Sequence, residues 1–161
     1  MIGDTVKIAD TNPLKIRIAG RTGAYINTFG EELMVCDAEA AMARTCAATG
    51  ASVTDYTAAP VYTTATTNGR HQWAIAFDNP PADLQQFARM LDSELCNENS
   101  DYQAKRTGNI FLAPLTITAV GQDAFDQWLL STGKLGGQRK IPRLRNDRTI
   151  IDKIIELNAS K

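Results

Sequence analysis

The sequence predicts an α+β domain: a small mixed or antiparallel β-sheet covered by helices, with a short β-segment at the N-terminus. Four segments carry apolar residues at spacings of three and four, which is typical of helices with one buried face. Short runs rich in Val, Ile, Thr and aromatic residues lie between them and predict strands that pair locally. A length of 161 residues with 43% hydrophobic content suits one domain with a buried core.

The N-terminal β-segment consists of predicted strands at 6–8 and 14–18, separated by the turn sequence at 10–13. Lys15 and Ile16 begin an alternation of charged and apolar residues, so we expect a hairpin with one buried and one solvated face. Because strand-like sequence starts without a polar lead-in, we also expect that the chain is cut from a longer one.

In the middle of the chain, Asp37 is the predicted N-cap of a helix that ends near residue 49, and Gly50 is its left-handed stop. Strands at 53–62 and 72–77 follow, joined around the turn pair Asn68-Gly69. His71 shares a strand face with large apolar residues, so it is predicted to be a core or rim histidine rather than a catalytic base.

The C-terminal half repeats this helix and strand pattern. Pro80 and Pro81 are predicted to open a second helix with Leu84, Phe87, Leu91 and Leu95 on its apolar face. A strand at 110–120 contains Pro114, which predicts an edge or a bulge. A helix at 123–132 and a final helix capped at Asn146 or Asp147 complete the order.

Composition excludes several classes of function. The formal net charge of -1 argues against a nucleic-acid binder, which is usually basic. No apolar run approaches the length of a membrane span. The three cysteines have no metal-ligand spacing and predict reduced thiols in a cytoplasmic protein, and the single histidine leaves little for a metal site.

Several polar residues are candidates for binding or catalysis, each with an ordinary structural alternative. Asp4 follows Gly3 before a strand, and its carboxylate suits the two hydroxyls of a ribose, although turn aspartates are common. Arg21 follows Gly20 and suits a carboxylate or phosphate, or is a surface arginine at a turn. Glu31 and Glu32 are adjacent and therefore form no facing acid/base pair; they predict a solvated turn, or one of them orients a loop.

Two further groups of candidate residues contain lysine and arginine. Tyr102, Lys105 and Arg106 lie within helical reach of one another and suggest either an anion site or, on this pattern, a solvated helix face. Residues 136–143 read Gly-Gly-Gln-Arg-Lys-Ile-Pro-Arg: two glycines permit movement, and Pro142 stiffens the backbone behind Lys140. A lysine on such a segment suits a phosphate, although surface loops of this composition are common.

Taken together, these segments resemble one family. The segments are IGDTV at 2–6, PLKIRIAGR at 13–21, YINTFGEEL at 25–33, LDSELCNENSDYQAKR at 91–106 and GGQRKIPRL at 136–144. In this order they resemble the C-terminal part of bacterial members of the Gretchen Hagen auxin-responsive family. Those proteins are acyl-acid amido synthetases of the adenylate-forming superfamily.

The resemblance implies a two-domain enzyme in which a large N-terminal adenylation domain binds ATP, with Mg²⁺, and a carboxylic acid, and a small C-terminal lid domain closes over it. An amino acid amine then takes the acyl group. By the matching motifs, Lys140 is the catalytic lysine, Asp4 binds the ribose of the nucleotide and Arg21 lies at the junction. Residues 1–22 are then the end of the large domain and the hinge, and residues 23–161 are the lid.

The chain has no Ser/Thr/Gly-rich phosphate loop, so we expect the chain alone to hold no cofactor and to show no adenylation activity. The composition of residues 29–33 departs from that of plant members, which puts a plant-hormone substrate in doubt. A stand-alone ferredoxin-like module that binds a small ligand or a partner is the alternative from another class. The third possible function is an adenylate-forming enzyme that transfers the acyl group to a thiol.

Overall fold

The computed structural model describes residues 4–21, 24–109, 111–133 and 140–160, with the backbone alone at residues 4, 5, 7, 17–21 and 109. The described residues form five α-helices and three small β-sheets, which confirms the predicted α+β class. In chain order the elements are β1 (Asp4–Thr11), β2 (Leu14–Arg21), β3 (Tyr25–Ile26), β4 (Leu33–Met34), α1 (Val35–Thr49), β5 (Ser52–Val61), β6 (Arg70–Asn79), α2 (Leu84–Glu98), α3 (Ser100–Arg106), a 3-10 turn (Thr107–Asn109), β7 (Thr116–Val120), α4 (Gln122–Ser131) and α5 (Thr149–Ala159).

The N-terminal hairpin forms as predicted, since β1 pairs antiparallel with β2 and Ile8 faces Ile16. The prediction of a buried face is wrong, because Val6, Ile8, Leu14 and Ile16 are 55 to 68% exposed. Alternation determines which side chains share a face of a hairpin, but a second layer must cover that face to bury it. In the described part of the chain, these four side chains stay mostly exposed to solvent.

The central sheet is mixed and has the strand order β5-β6-β7. β5 and β6 are antiparallel, and β7 lies parallel to β6. Asn68 and Gly69 do not form the expected tight turn: residues 62–69 connect the strands, and neither residue has the positive φ of a type I′ turn. Gly69 is instead needed for close approach, because a Cβ there would lie 2.2 Å from the ring of Phe29.

The last strand is shorter than the predicted 110–120. β7 begins only at Thr116, and the preceding segment is irregular because its backbone bonds elsewhere. The amide of Leu112 donates to the Lys105 carbonyl at 3.1 Å, and the amide of Ala113 donates to the Gly69 carbonyl at 2.8 Å.

The helices lie where their apolar spacing predicts them, but three predicted starts are wrong. α1 begins after Met34, and Asp37 lies inside its first turn, where its carboxylate accepts the Met34 amide at 3.2 Å. α2 begins after Asp83, which accepts two amides of the first turn, so Pro80 and Pro81 precede it. The capping position of α5 is Arg148, although the Asp147 carboxylate accepts the Thr149 amide at 3.1 Å. The predicted left-handed stop at Gly50 is confirmed by its φ of 70°.

Two apolar cores lie on the two faces of the central sheet. Trp73 and Ile75 point to one face of β6, and Ala74 and Ala76 point to the other, as strand alternation requires. The small alanines leave room for the larger side chains of α4. The first core also contains Phe87, Leu91, Leu95 and Tyr102; the second contains Phe125, Trp128, Leu129, Ile141, Ile151 and Ile154.

Candidate functional site

Lys140 is the predicted catalytic residue, and the structure describes both its backbone and its side chain. Its side chain is exposed and makes no hydrogen bond or ion pair with any residue in the described ranges. The glycines of the predicted mobile approach lie in 134–139, outside the described residues. An exposed ammonium without an internal partner is available to an external anion.

The segment directly after Lys140, residues 141–145, is held along β5, and we call it the anchor segment. Backbone bonds run from the Ala58 amide to the Arg143 carbonyl at 2.8 Å and from the Arg145 amide to the Ala58 carbonyl at 3.1 Å. The Thr57 hydroxyl donates to the Pro142 carbonyl at 2.7 Å. The apolar side chains of the segment, Ile141 and Leu144, are buried. Lys140 is therefore the last residue before a fixed piece of backbone.

Arg143 attaches the anchor segment through its side chain as well. Its Nη1 donates to Asp55 Oδ1 at 3.0 Å and to the Tyr56 carbonyl at 3.2 Å. The guanidinium carbon lies 4.5 Å from the centroid of the Tyr56 ring, within the range of a cation–π contact. Burial raises the pKa of the Tyr56 phenol, so this ring is neutral at any ordinary pH.

Asp4 and Arg21, the predicted nucleotide-binding residues, are cross-strand partners at the open end of the hairpin. The structure therefore brings these two positions together through their backbones. Their roles remain predictions.

The anion site suggested by Tyr102, Lys105 and Arg106 is occupied by a carboxylate of the chain itself. Tyr102 is fully buried and donates to Asp92 Oδ1 at 2.6 Å, and Arg106 Nη2 donates to Asp92 Oδ2 at 2.6 Å. Burial, followed by the charge of Asp92, raises the pKa of Tyr102 well above its ordinary range. The predicted solvated face is thus wrong for Tyr102 and Arg106, because both belong to an internal polar cluster.

Sequence reasoning missed Asp92, although a signal was present. Asp92 directly follows the buried Leu91 and lies one helical turn after Ala88, at the border of the apolar face of α2. A carboxylate at that border needs a basic partner from another element.

Glu31 is also placed differently from the predicted solvated turn. It is fully buried, and its Oε1 lies 2.8 Å from Nε2 of the equally buried His71, while its Oε2 accepts the Phe29 amide at 2.6 Å. The alternative that one of the two glutamates orients a loop is confirmed by these bonds. Burial alone would raise the pKa of Glu31, but the hydrogen bond and the charge of His71 lower it overall. His71 is a core residue, as predicted.

Two clefts open on the described surface. One, of about 470 Å³, lies between α2 and the start of β7 and includes Arg89, Arg106 and Ile117 in its wall. The other, of about 340 Å³, lies beside α1 and β5 and includes Tyr56 and Arg143. Among the described residues, no group of three or more His, Cys, Asp or Glu side chains is arranged to hold a metal ion. No described helix is long and apolar enough to cross a membrane.

Comparison with known proteins agrees with this architecture. A family model described as the GH3 family C-terminal domain matches residues 36–149. Among curated proteins, no sequence match was found. Two similar solved structures are "GH3.15 acyl acid amido synthetase", with a TM-score of 0.71, and "AtGH3.15 acyl acid amido synthetase in complex with 2,4-DB", with a TM-score of 0.70. Each is 16% identical to this chain, so the likeness is one of fold, and each alignment covers 98% of this chain and 30% of the other.

Proposed function

The chain belongs to the GH3 family through its C-terminal domain, and from this premise we propose that it is the lid domain of an ATP-dependent acyl-acid amido synthetase. The chain spans about 30% of the length of the solved structures that it matches. The remaining part of the enzyme is then a large adenylation domain, which binds ATP and a carboxylic acid. The described cysteines are thiols rather than disulfides, which suits a reducing, cytoplasmic compartment.

The proposed reaction has two steps. A carboxylate oxygen attacks the α-phosphorus of ATP, the bond to the β-phosphate oxygen breaks, and pyrophosphate leaves. The amine of an amino acid then attacks the acyl carbon, AMP leaves with the electrons of the acyl–oxygen bond, and the amine loses a proton to give an amide. Negative charge grows on the phosphate oxygens in the first transition state, and a nearby cation stabilises it.

The placement of Lys140 is the single observation that carries the proposal. Its ammonium is exposed, has no partner among the described residues, and stands directly before backbone that is fixed to β5. A lysine that contributes to a transition state must be free to meet its substrate and still be held in a narrow range of positions. The free side chain and the anchor segment supply these two conditions.

Asp4 and Arg21, in the N-terminal hairpin, support the same proposal. Their pairing across the hairpin places a carboxylate-bearing and a guanidinium-bearing residue at one edge. A carboxylate suits the ribose hydroxyls of a nucleotide, and a guanidinium suits phosphate or carboxylate oxygens. We propose that this edge faces the nucleotide when the two domains are joined.

The apolar surface of the hairpin supports the proposed partner domain. Ile8 and Ile16 are directly opposite each other and are 67% and 63% exposed. Exposed apolar patches of this kind usually mark a contact surface. A large domain of the same polypeptide would cover them.

The test uses the polypeptide in which this domain is joined to its adenylation domain. We expect Lys140→Ala to lower the rate of ATP–pyrophosphate exchange by about 100-fold, because one charge that stabilises the transition state is removed. ATP binding, measured by calorimetry, should stay within about twofold. Lys153→Ala is the matched control, since Lys153 is an exposed lysine on α5 that bonds to Glu156. Equal exchange rates for the Lys140 and Lys153 variants would refute the proposal.

A second candidate function, a stand-alone module for a small ligand, is favoured by the cleft of about 470 Å³ beside α2. The two are separated by the reading frame upstream of Met1: a long frame with a phosphate loop supports the enzyme, and a stop codon supports the module. Within the enzyme, product analysis with amino acids and with coenzyme A separates an amine acceptor from a thiol acceptor.

A further inference from the structure

The side chain of Arg143 does more than complete a surface ion pair. We propose that Arg143 is a positioning residue for Lys140: by fixing the anchor segment to Asp55 and Tyr56, it sets the point from which the lysine side chain extends. The inference rests on the proposed function and deepens it, because it names the group on which the placement of the lysine depends.

The backbone alone holds the beginning of the anchor segment weakly. Pro142 has no N–H and therefore cannot donate to β5. The first bond of the parallel ladder is made by the carbonyl of Arg143, and only the hydroxyl of Thr57 reaches back to residue 142. Close to Lys140, the attachment consequently depends on side chains.

Arg143 is suited to this task by its shape. One nitrogen of the guanidinium bonds both the Asp55 carboxylate and the Tyr56 carbonyl, while the guanidinium carbon lies 4.5 Å from the centroid of the Tyr56 ring. A planar, permanently charged group bonds and stacks at once, whereas the compact ammonium of a lysine does not. The Arg143 and Asp55 side chains are 30% and 24% exposed, so the pair is partly shielded from water.

Asp55 also contacts described residues on both sides of Lys140 in the sequence. Its Oδ1 bonds Arg143, in the anchor segment, and its Oδ2 accepts from Gln122 Nε2 at 3.3 Å, at the start of α4. One carboxylate therefore connects both flanking elements to β5. Arg143 is three residues from Lys140, a span of at most about 11 Å, so a shift at Arg143 is passed on to the lysine.

The first experiment measures attachment in the 161-residue chain with a protease that cleaves only after lysine. Arg143→Ala leaves the bond after Lys140 intact as a substrate, and we expect its cleavage to accelerate about tenfold because the segment opens more often. Arg145→Ala is the matched control, since that guanidinium bonds Asp147 and leaves the ladder amide in place. Tyr56→Leu, which adds no lysine, should resemble Arg143→Ala. Thermal unfolding verifies that every variant is folded.

The second experiment measures function in the polypeptide joined to its adenylation domain. Arg143→Ala is expected to lower the kcat of pyrophosphate exchange about tenfold or more while the KM for ATP stays within about twofold, because positioning acts on the transition state. In a Lys140→Ala background, the same change should cost nothing further. This non-additivity distinguishes a residue that acts through Lys140 from one that only stabilises the domain.

The outcomes separate the inference from the proposed function. If Lys140→Ala leaves exchange unchanged, the proposed function is refuted, and the inference falls with it. If Lys140→Ala slows exchange but Arg143→Ala does not, or if the two arginine variants are cleaved equally fast, the inference alone is refuted. Additive losses in the double variant would likewise refute it.

Discussion

At the scale of single residues, the buried pair of Glu31 and His71 links stability to pH. The folded protein lowers the pKa of Glu31 from its ordinary value of 4.5. The carboxylate therefore contributes stability that is fully present above about pH 4.5 and is lost as the pH falls through the lowered pKa.

Glu31→Gln is expected to reduce the free energy of unfolding by about 2 to 3 kcal/mol near neutral pH, because an ionised partner of a buried histidine is replaced by a neutral one. The difference between parent and variant should narrow as the pH falls below about 4.5. Urea denaturation at several pH values measures both effects. Glu32→Gln, at the exposed neighbouring position, is the control. A difference that is independent of pH would contradict the assignment.

The cluster around Asp92 predicts a second loss of stability at the residue scale. Asp92→Asn removes the carboxylate that binds Arg106 and Tyr102, and the side chain of Arg106 is only 11% exposed. The expected cost is about 3 kcal/mol in chemical denaturation. Glu94→Gln, which affects the more exposed pair with Arg44, should cost less than about 1 kcal/mol. Equal costs for the two variants would show that the cluster is not a buried one in solution.

At the scale of elements, the N-terminal hairpin predicts self-association of the isolated chain. Its apolar side chains are exposed, and Ile8 and Ile16 form one pair on the same face. Ile8→Thr with Ile16→Thr keeps β-branched residues in the strands while removing apolar surface. Sedimentation should show less association in the variant and an unchanged melting temperature. A monomeric parent would contradict this prediction, and Ile75→Thr, in the core, is the control that should destabilise the fold.

The anchor segment shows how an element without regular secondary structure gains a fixed position. Its backbone forms hydrogen bonds with the edge of β5, and its side chains Ile141 and Leu144 are buried. The Arg143 side chain adds contacts of its own. The β5 residues that the segment contacts are far from it in the sequence. The sequence predicts the stiffness of Pro142 but not the strand beside which the segment lies.

At the scale of the whole molecule, the sequence predicts features that depend on neighbouring residues, but not features that depend on residues far apart in the chain. Helix spacing correctly identified Phe87, Leu91 and Leu95 as core residues, because one helix determines which of its residues share a face. The burial of Glu31 depends on His71, 40 positions away, and no local pattern indicates it. The predicted burial of one hairpin face is wrong for the same reason. Alternation is a local pattern, whereas burial depends on another element that packs against the face. The boundary between residues 22 and 23, both outside the described residues, stays a prediction.

Without an adenylation domain, the chain is expected to be inactive. If this domain supplies Lys140 but not the surfaces that bind ATP and the acid, the 161-residue chain should catalyse no pyrophosphate exchange with any carboxylic acid. A single ammonium stabilises charge only when substrates are already held in line, and most of the rate enhancement comes from that arrangement. Mixing the chain with its separately expressed adenylation domain should restore part of the exchange, and Lys140→Ala in the chain should abolish that restoration. Exchange by the chain alone would show that it carries a complete active site and would refute its assignment as a lid domain.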